Sequence, residues 1–273
     1  MIKIGQAYII SNMICNVANP KATGPVSIWQ ETFPVRFGAI DRSDKLTLSA
    51  IFQFFQEAAI SHAENLCVGR EDMACSGHVW ILSRMSVQVD SRPNYCQTIN
   101  VRSWPRGCEK LFALRDYDIR DQADTPLVRA RSGWIIIDIK TRRPLRPQAV
   151  VQTMPQNEGL DALDLSPGLT QRDALVKTAE RKALYTDVDY NGHVNNVRYV
   201  QWIEDAIDSQ LLEKASRMRI DLNYLNEILS GNTTEIWSCP LECNDGERAA
   251  FAFDGKNTEN GQSAFKAELR LWE

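Results

Sequence analysis

The sequence predicts an α+β protein built from two copies of one unit, each an antiparallel sheet wrapped around a long central helix. Two related polar segments stand 148 residues apart, a helical pattern follows each, and a series of strand-like runs follows each helix. Self-similarity at a fixed spacing outranks local propensity as a guide to architecture. The repeat divides the chain into an extension over 1–28, a first unit over 29–140, a Pro-rich linker over 141–175 and a second unit over 176–273.

The extension holds an apolar patch from Ala7 to Val17, but Gln6, Ser11 and Asn12 interrupt or flank it, so it reads as a flexible segment rather than a signal peptide. In the first unit Asp41–Thr47 aligns with Asp189–Asn195 of the second. The helical patterns that follow run Leu48–Ala59 and Val197–Ile207. Under the offset, Ile51 falls on Tyr199, Phe54 on Trp202 and Ala58 on Ala206. The second helix is apolar at Val197, Val200, Ile203 and Ile207, which makes one buried stripe, and Asn195 or Asn196 is its N-cap. The first is apolar nearly all round between Ala50 and Phe55, which predicts deeper burial.

Strands are predicted at Val79–Val89, Thr98–Trp104, Leu111–Ile119 and Leu127–Ile139, then at Ile220–Leu225, Glu235–Leu241, Arg248–Phe253 and Ala264–Trp272. Turn residues at Pro105-Arg106-Gly107, Gln122–Thr125, Asn244-Asp245-Gly246 and Asn257–Gly261 separate them. The continuous run Ile135-Ile136-Ile137 predicts a central strand buried on both faces. Pro144, Pro147, Pro155 and Pro167 mark the linker between the units.

Composition sets outer bounds. No run approaches the roughly 18 apolar residues of a membrane span. The seven cysteines fall in no metal-type pairing, so no metal is expected and a reducing, cytoplasmic setting fits. The first 150 residues carry 19 Lys and Arg against 14 Asp and Glu, whereas the remainder carries 12 against 21. That is far from the strongly basic balance of a nucleic-acid binder, but it would steer an acidic partner toward the first unit or the linker start. Lys140, Arg142, Arg143 and Arg146 make that start basic.

The chemistry concentrates in the second copy. Asp189, Asn191 and His193 stand at every second position, so an extended chain would point them the same way; a bent loop would use Gly192 to aim them. Beside the free N–H groups of a helix start, three such polar groups suit stabilisation of a developing oxyanion. In the first copy Lys45 takes the place of His193 and Asp44 that of Gly192, so a single site is expected. Glu227 ends the strand after the second helix and could face the loop; Arg92 holds its place in the first copy, at an offset of 135.

Taken together, these residues reach a known family. The run Asp189-x-Asn191-x-His193-Val194-Asn195-Asn196-Val197-x-Tyr199, with Trp202-Ile203-Glu204 and Asn223-Tyr224-x-x-Glu227, resembles the acyl-acyl carrier protein (acyl-ACP) thioesterases of bacteria and plastids. Val35-Arg36-Phe37, Trp80-Ile81-Leu82-Ser83-Arg84, Trp104-Pro105-Arg106-Gly107 and Leu111–Asp116 extend the resemblance through the first unit. It implies a tandem hotdog fold and hydrolysis of fatty acyl-ACP thioesters. It also implies a catalytic network of Asp189, Asn191, His193 and Glu227. Many plastid members carry cysteine after the glutamate, where this chain has Ile228, so water is the expected nucleophile.

Glu227 is the first choice for base, effective if buried, and His193 would orient water or protonate the leaving sulfur. Asp189 would fix the histidine tautomer or order the loop, or in a rival assignment act as covalent nucleophile or as the base, with Glu227 in support. Asn191 would hold water or substrate. Asn195 and Asn196 would bind substrate at the helix start, while Phe52, Phe54, Phe55, Trp80 and Met85 would line an acyl tunnel. No cofactor is implied. The partner is an acyl carrier protein bearing a fatty acyl-phosphopantetheine, and a homodimer is compatible with the chain. The alternatives are an acyl-CoA thioesterase, a hotdog dehydratase or hydratase, and a non-catalytic acyl-binding module.

Overall fold

A computed structural model describes residues 24–273. The extension therefore lies largely outside the described residues, but its last part is tied down. Val26 N donates to Asn65 Oδ1 at 2.9 Å, and the Val26 carbonyl lies 2.9 Å from His62 Nε2.

The first half starts with β1 (Trp29–Pro34), then α1 (Leu48–Asn65), α2 (Arg70–Cys75), β2 (His78–Val89), β3 (Thr98–Glu109), β4 (Phe112–Arg120) and β5 (Pro126–Asp138). A connecting segment holds β6 (Pro144–Leu145) and α3 (Gln148–Val151). The second half repeats the first with β7 (Val176–Lys182), α4 (Asn196–Asp205), α5 (Ser209–Lys214), β8 (Arg217–Tyr224), β9 (Thr233–Pro240), β10 (Glu247–Asn257) and β11 (Ser263–Trp272).

The strand order is β1-β3-β4-β5-β2-β8-β11-β10-β9-β7, with β6 added to β5. Each half has the same internal order, and the halves join edge to edge where β2 runs antiparallel to β8, from Arg84 opposite Asn223 to Val89 opposite Met218. Two sheets expected to wrap their own helices are thus one continuous sheet, which removes an exposed edge from each half. β1 and β7 are absent from the strand pattern read in the sequence. They are polar outer strands, with every second residue of β1 exposed, and carry little apolar signal. The turn expected at Pro105-Arg106-Gly107 is instead a bulge within β3, with Gly107 at φ +77°; the chain reverses later, at Lys110. Of the isoleucine run only Ile136 is fully buried.

α1 and α4 pack together, and the buried side chains of both halves form one cluster that includes Ile51, Phe55, Val200, Ile203, Phe265 and Leu269. Full burial of each such side chain contributes about 2 kcal/mol. α1 continues to Asn65, beyond the predicted end at Ala59, because His62 and Asn65 are buried against the 24–27 segment. Burial and the neighbouring Arg115 guanidinium push His62 down to about 4, so it is neutral at ordinary pH.

The Pro-rich segment joins the halves as a pinned strap. Its Leu160 carbonyl accepts from Trp104 Nε1, Ala162 N donates to Asp116, Ser166 N to Ser86 Oγ and Leu169 N to Asn223 Oδ1, all at 2.7–2.9 Å. Arg172 then pairs with Glu268 at 2.6 Å, so the strap crosses from β3 to β11.

Candidate active site

The loop before α4 is a tight turn rather than an extended segment. Asp189 Oδ1 accepts from Asn191 N at 2.8 Å, Asp189 N donates to the His193 carbonyl at 2.8 Å, and Gly192 takes φ +83° to close the reversal. Asn195 caps α4, its side chain accepting from Val197 N at 2.9 Å. His193 then pairs as an isolated bridge with Leu229, and Val194 N donates to the Ile228 carbonyl at 2.8 Å. This pairing lays the segment after β8 beside the loop. His193 Nε2 and Glu227 Oε2 come to 3.1 Å, although 34 positions separate them in sequence.

The first half holds the same backbone with different chemistry. Ser43 N donates to Asp41 Oδ1 at 2.8 Å, Asp44 takes φ +59° where Gly192 stands, and Lys45 bridges Asn94 as His193 bridges Leu229. That last correspondence fixes Arg92 as the counterpart of Glu227. The Arg92 side chain is 3% exposed, forms an ion pair with Asp41, and donates to the carbonyls of Leu46 and Leu212 at 2.9 and 3.1 Å. A histidine–glutamate contact in one copy is replaced by a buried structural cation in the other.

The remaining predicted residues divide. Asp189 spends one carboxylate oxygen on its own turn, as Asp41 does, which makes it the loop's organiser rather than the partner of His193. Asn191 is exposed beside it. Glu227 departs from expectation, since its side chain is 44% exposed and the burial that would activate it is missing. Asn195 commits its carboxamide oxygen to capping, and the Asn196 carbonyl accepts from Tyr224 Oη at 3.3 Å. Phe52, Phe55 and Met85 are buried in the core, with Phe55 packed 4.9 Å from Tyr117. Phe54 is half-buried and packs 5.1 Å from Phe33 on the outermost strand. Trp80 lies against the segment that carries α2, donating to the Val68 carbonyl at 2.9 Å.

Three further residues had no role assigned from the sequence. Arg70, the first residue of α2, stacks its guanidinium 4.1 Å from the Tyr190 ring, so the first half reaches across to the loop of the second. Tyr199 is buried beneath the loop against Ile228, and burial pushes its hydroxyl well above the usual tyrosine range. Glu204 crosses in the other direction, accepting from Leu48 N and Ser49 N at 2.8 and 3.3 Å at the start of α1. Burial raises its carboxyl against those hydrogen bonds. The offset of 148 sets Gln56, a neutral side chain, in the place of Glu204 in the first copy. At the start of α4 a cavity of about 200 Å³ opens among Gln53, Thr186, Val188, Asn195, Val197, Arg198 and Gln201. Arg70 stands in a helix with no local sign of a partner; Tyr199 and Glu204 were visible only as parts of the motif.

A duplicated sheet-around-helix architecture with one His–Glu pair at the junction of its halves defines a tandem hotdog protein. Models of the acyl-ACP thioesterase N-terminal and C-terminal domains match residues 27–152 and 171–272, and the chain belongs to that family. It is 25% identical over 242 residues to a chloroplastic acyl-acyl carrier protein hydrolase of Cuphea viscosissima, covering 82% of this chain and 57% of that one. It thus spans a little over half the length of that relative. The acyl-ACP thioesterase of Bacteroides thetaiotaomicron superposes with a TM-score of 0.78 at 23% identity, covering 90% and 98% of the two chains. The 12:0-ACP thioesterase of Umbellularia californica does so at 0.76 and 20%, covering 90% and 94%. No helix among the described residues is long and apolar enough to cross a membrane.

Proposed function

We propose that the chain hydrolyses the thioester between a fatty acyl group and the phosphopantetheine arm of an acyl carrier protein, releasing fatty acid and free thiol. The observation that carries this reading is the 3.1 Å contact of His193 with Glu227, formed in the copy that keeps the histidine and replaced by Lys45 and Arg92 in the other. Family membership supplies the substrate class.

In this mechanism Glu227 takes a proton from a water held by Asn191 and His193, and the water oxygen attacks the acyl carbon. The Asn196 N–H at the start of α4 receives the oxyanion, because Asn195 already accepts from the N–H groups of Val197 and Arg198; one lost donor in such a role typically costs about 3 kcal/mol. Collapse of the tetrahedral intermediate breaks the carbon–sulfur bond, and the proton passes to the departing thiolate through His193. Asp189 orders the loop, and Trp80, beneath the α2 segment, meets the acyl chain.

Thiol release from one acyl group carried on carrier protein and on coenzyme A tests the proposal. The carrier substrate is expected to have the higher kcat/KM. Equal or better turnover of the coenzyme A ester would transfer the activity to that handle, and release from neither would remove the hydrolase reading.

A further inference from the structure

Most arginines in the described residues are neutralised at close range: Arg92 by Asp41, Arg131 by Asp116, Arg172 by Glu268, Arg198 by Asp187. The turn after β5 is different. Lys140, Arg142, Arg143 and Arg146 are all exposed within seven residues, and none forms an ion pair among the described residues. Arg142 is held at φ +58° by a hydrogen bond from its N to the Asp138 carbonyl at 2.9 Å, a conformation that glycine or asparagine would adopt more readily. The chain carries a net charge of −4, so this patch is a local exception to its overall sign. At physiological salt only charges within about 10 Å act strongly, which lets such a patch decide where an acidic protein settles.

Its position relative to the site is equally specific. Ile139 N donates to the Gly77 carbonyl at 2.9 Å, which ties the turn to the end of the segment holding α2. The other end of α2 carries Arg70, stacked on Tyr190 of the site loop. Six helical residues span about 9 Å, so the basic turn and the His193 loop flank opposite ends of one short helix. The apolar side chains Ile139, Ile81 and Leu225, 37–49% exposed, belong to the turn, the β2 edge and the segment leading to Glu227. The site mouth itself presents Asp189 and Glu227, with Glu71 beside Arg70 on α2, so it offers an acidic protein no comparable cluster of cations.

We propose that the 140–146 turn is the docking surface for the acidic face of the acyl carrier protein, whose phosphopantetheine arm then passes α2 to reach His193 and Glu227. This rests on the proposed function and adds to it the place where the partner sits. The carrier body stays on the basic turn, and only its uncharged thioester end enters the acidic mouth.

Charge reversal by Arg142→Glu with Arg143→Glu is the test, read on an acyl-carrier substrate and on the same acyl group attached to pantetheine alone. Carrier kcat/KM is expected to fall about tenfold or more through KM, with a flatter salt dependence, while acyl-pantetheine turnover is unchanged. Arg142→Gly removes one charge and relaxes the left-handed turn, so carrier KM should rise with a melting temperature no lower than wild type. A carrier KM unchanged in both variants, or parallel losses on both substrates, overturns the docking surface. Affinity for the unacylated carrier reads the surface independently of chemistry. Its Kd must rise in both variants even if no thioester is cleaved, and an unchanged Kd sinks the proposal without touching the hydrolase reading.

Discussion

Replacing Glu227 by glutamine is expected to lower kcat on a fatty acyl thioester about 100-fold or more while leaving the melting temperature near wild type. Glutamine keeps the shape and can still approach His193, but it cannot accept the proton that leaves the attacking water. The side chain is 44% exposed, so little packing is lost. His193→Ala should produce a loss of similar size, because both groups act on the same water. For that reason the double variant should fall little below either single one. Steady-state kcat on the three proteins checks this, with circular dichroism to confirm folding. Near-full turnover by Glu227→Gln would move the base to Asp189.

Arg92→Leu tests the other copy, where the expected effect is on stability. The Arg92 and Asp41 side chains are 3% and 19% exposed, and breaking a buried pair from one side typically costs 3–5 kcal/mol. The variant also strips a donor from the Leu46 and Leu212 carbonyls, the second of which lies in α5 of the other half. A melting temperature lower by about 10 °C is expected, with kcat unchanged at a temperature where the protein is folded. Although partial burial works against it, hydrogen bonds from Ser43 and Arg92 hold the Asp41 carboxyl below its ordinary value of 3.8. The pair's contribution is therefore complete at neutral pH and disappears as acid protonates Asp41, so the gap between wild type and variant should narrow below that value, leaving the part due to the Leu46 and Leu212 carbonyls. A variant as stable as wild type at pH 7 would mean the cation is dispensable.

The duplication was legible because it is written in short-range chemistry. A capping side chain at Thr47 or Asn195 and an Asp-led turn before it need no distant partner to be recognised. The offset of 135 that set Arg92 against Glu227 follows from the same logic, and paired β-bridges reproduce it. Long-range pairings left no such trace. The β2–β8 seam joins residues 129 to 139 positions apart, and Glu204 caps α1 across a separation of 156. β1 and β7 were missed for a different reason: a short outer strand rich in polar side chains looks like a loop. In the site, the sequence named His193 and Glu227 but not the depth at which they sit. Exposure is set by α2 and by the rest of the fold, and no local pattern encodes it.

The central claim is that water, activated by the His193–Glu227 pair, supplies the new oxygen. Single-turnover hydrolysis of a fatty acyl-carrier substrate in oxygen-18 water, followed by mass spectrometry of product and protein, tests it most directly. One labelled oxygen in the released fatty acid and none in the protein is the predicted result. Label in the carboxylate of Asp189 or Glu227 would mean that a side chain, not water, attacks first, and would contradict the account.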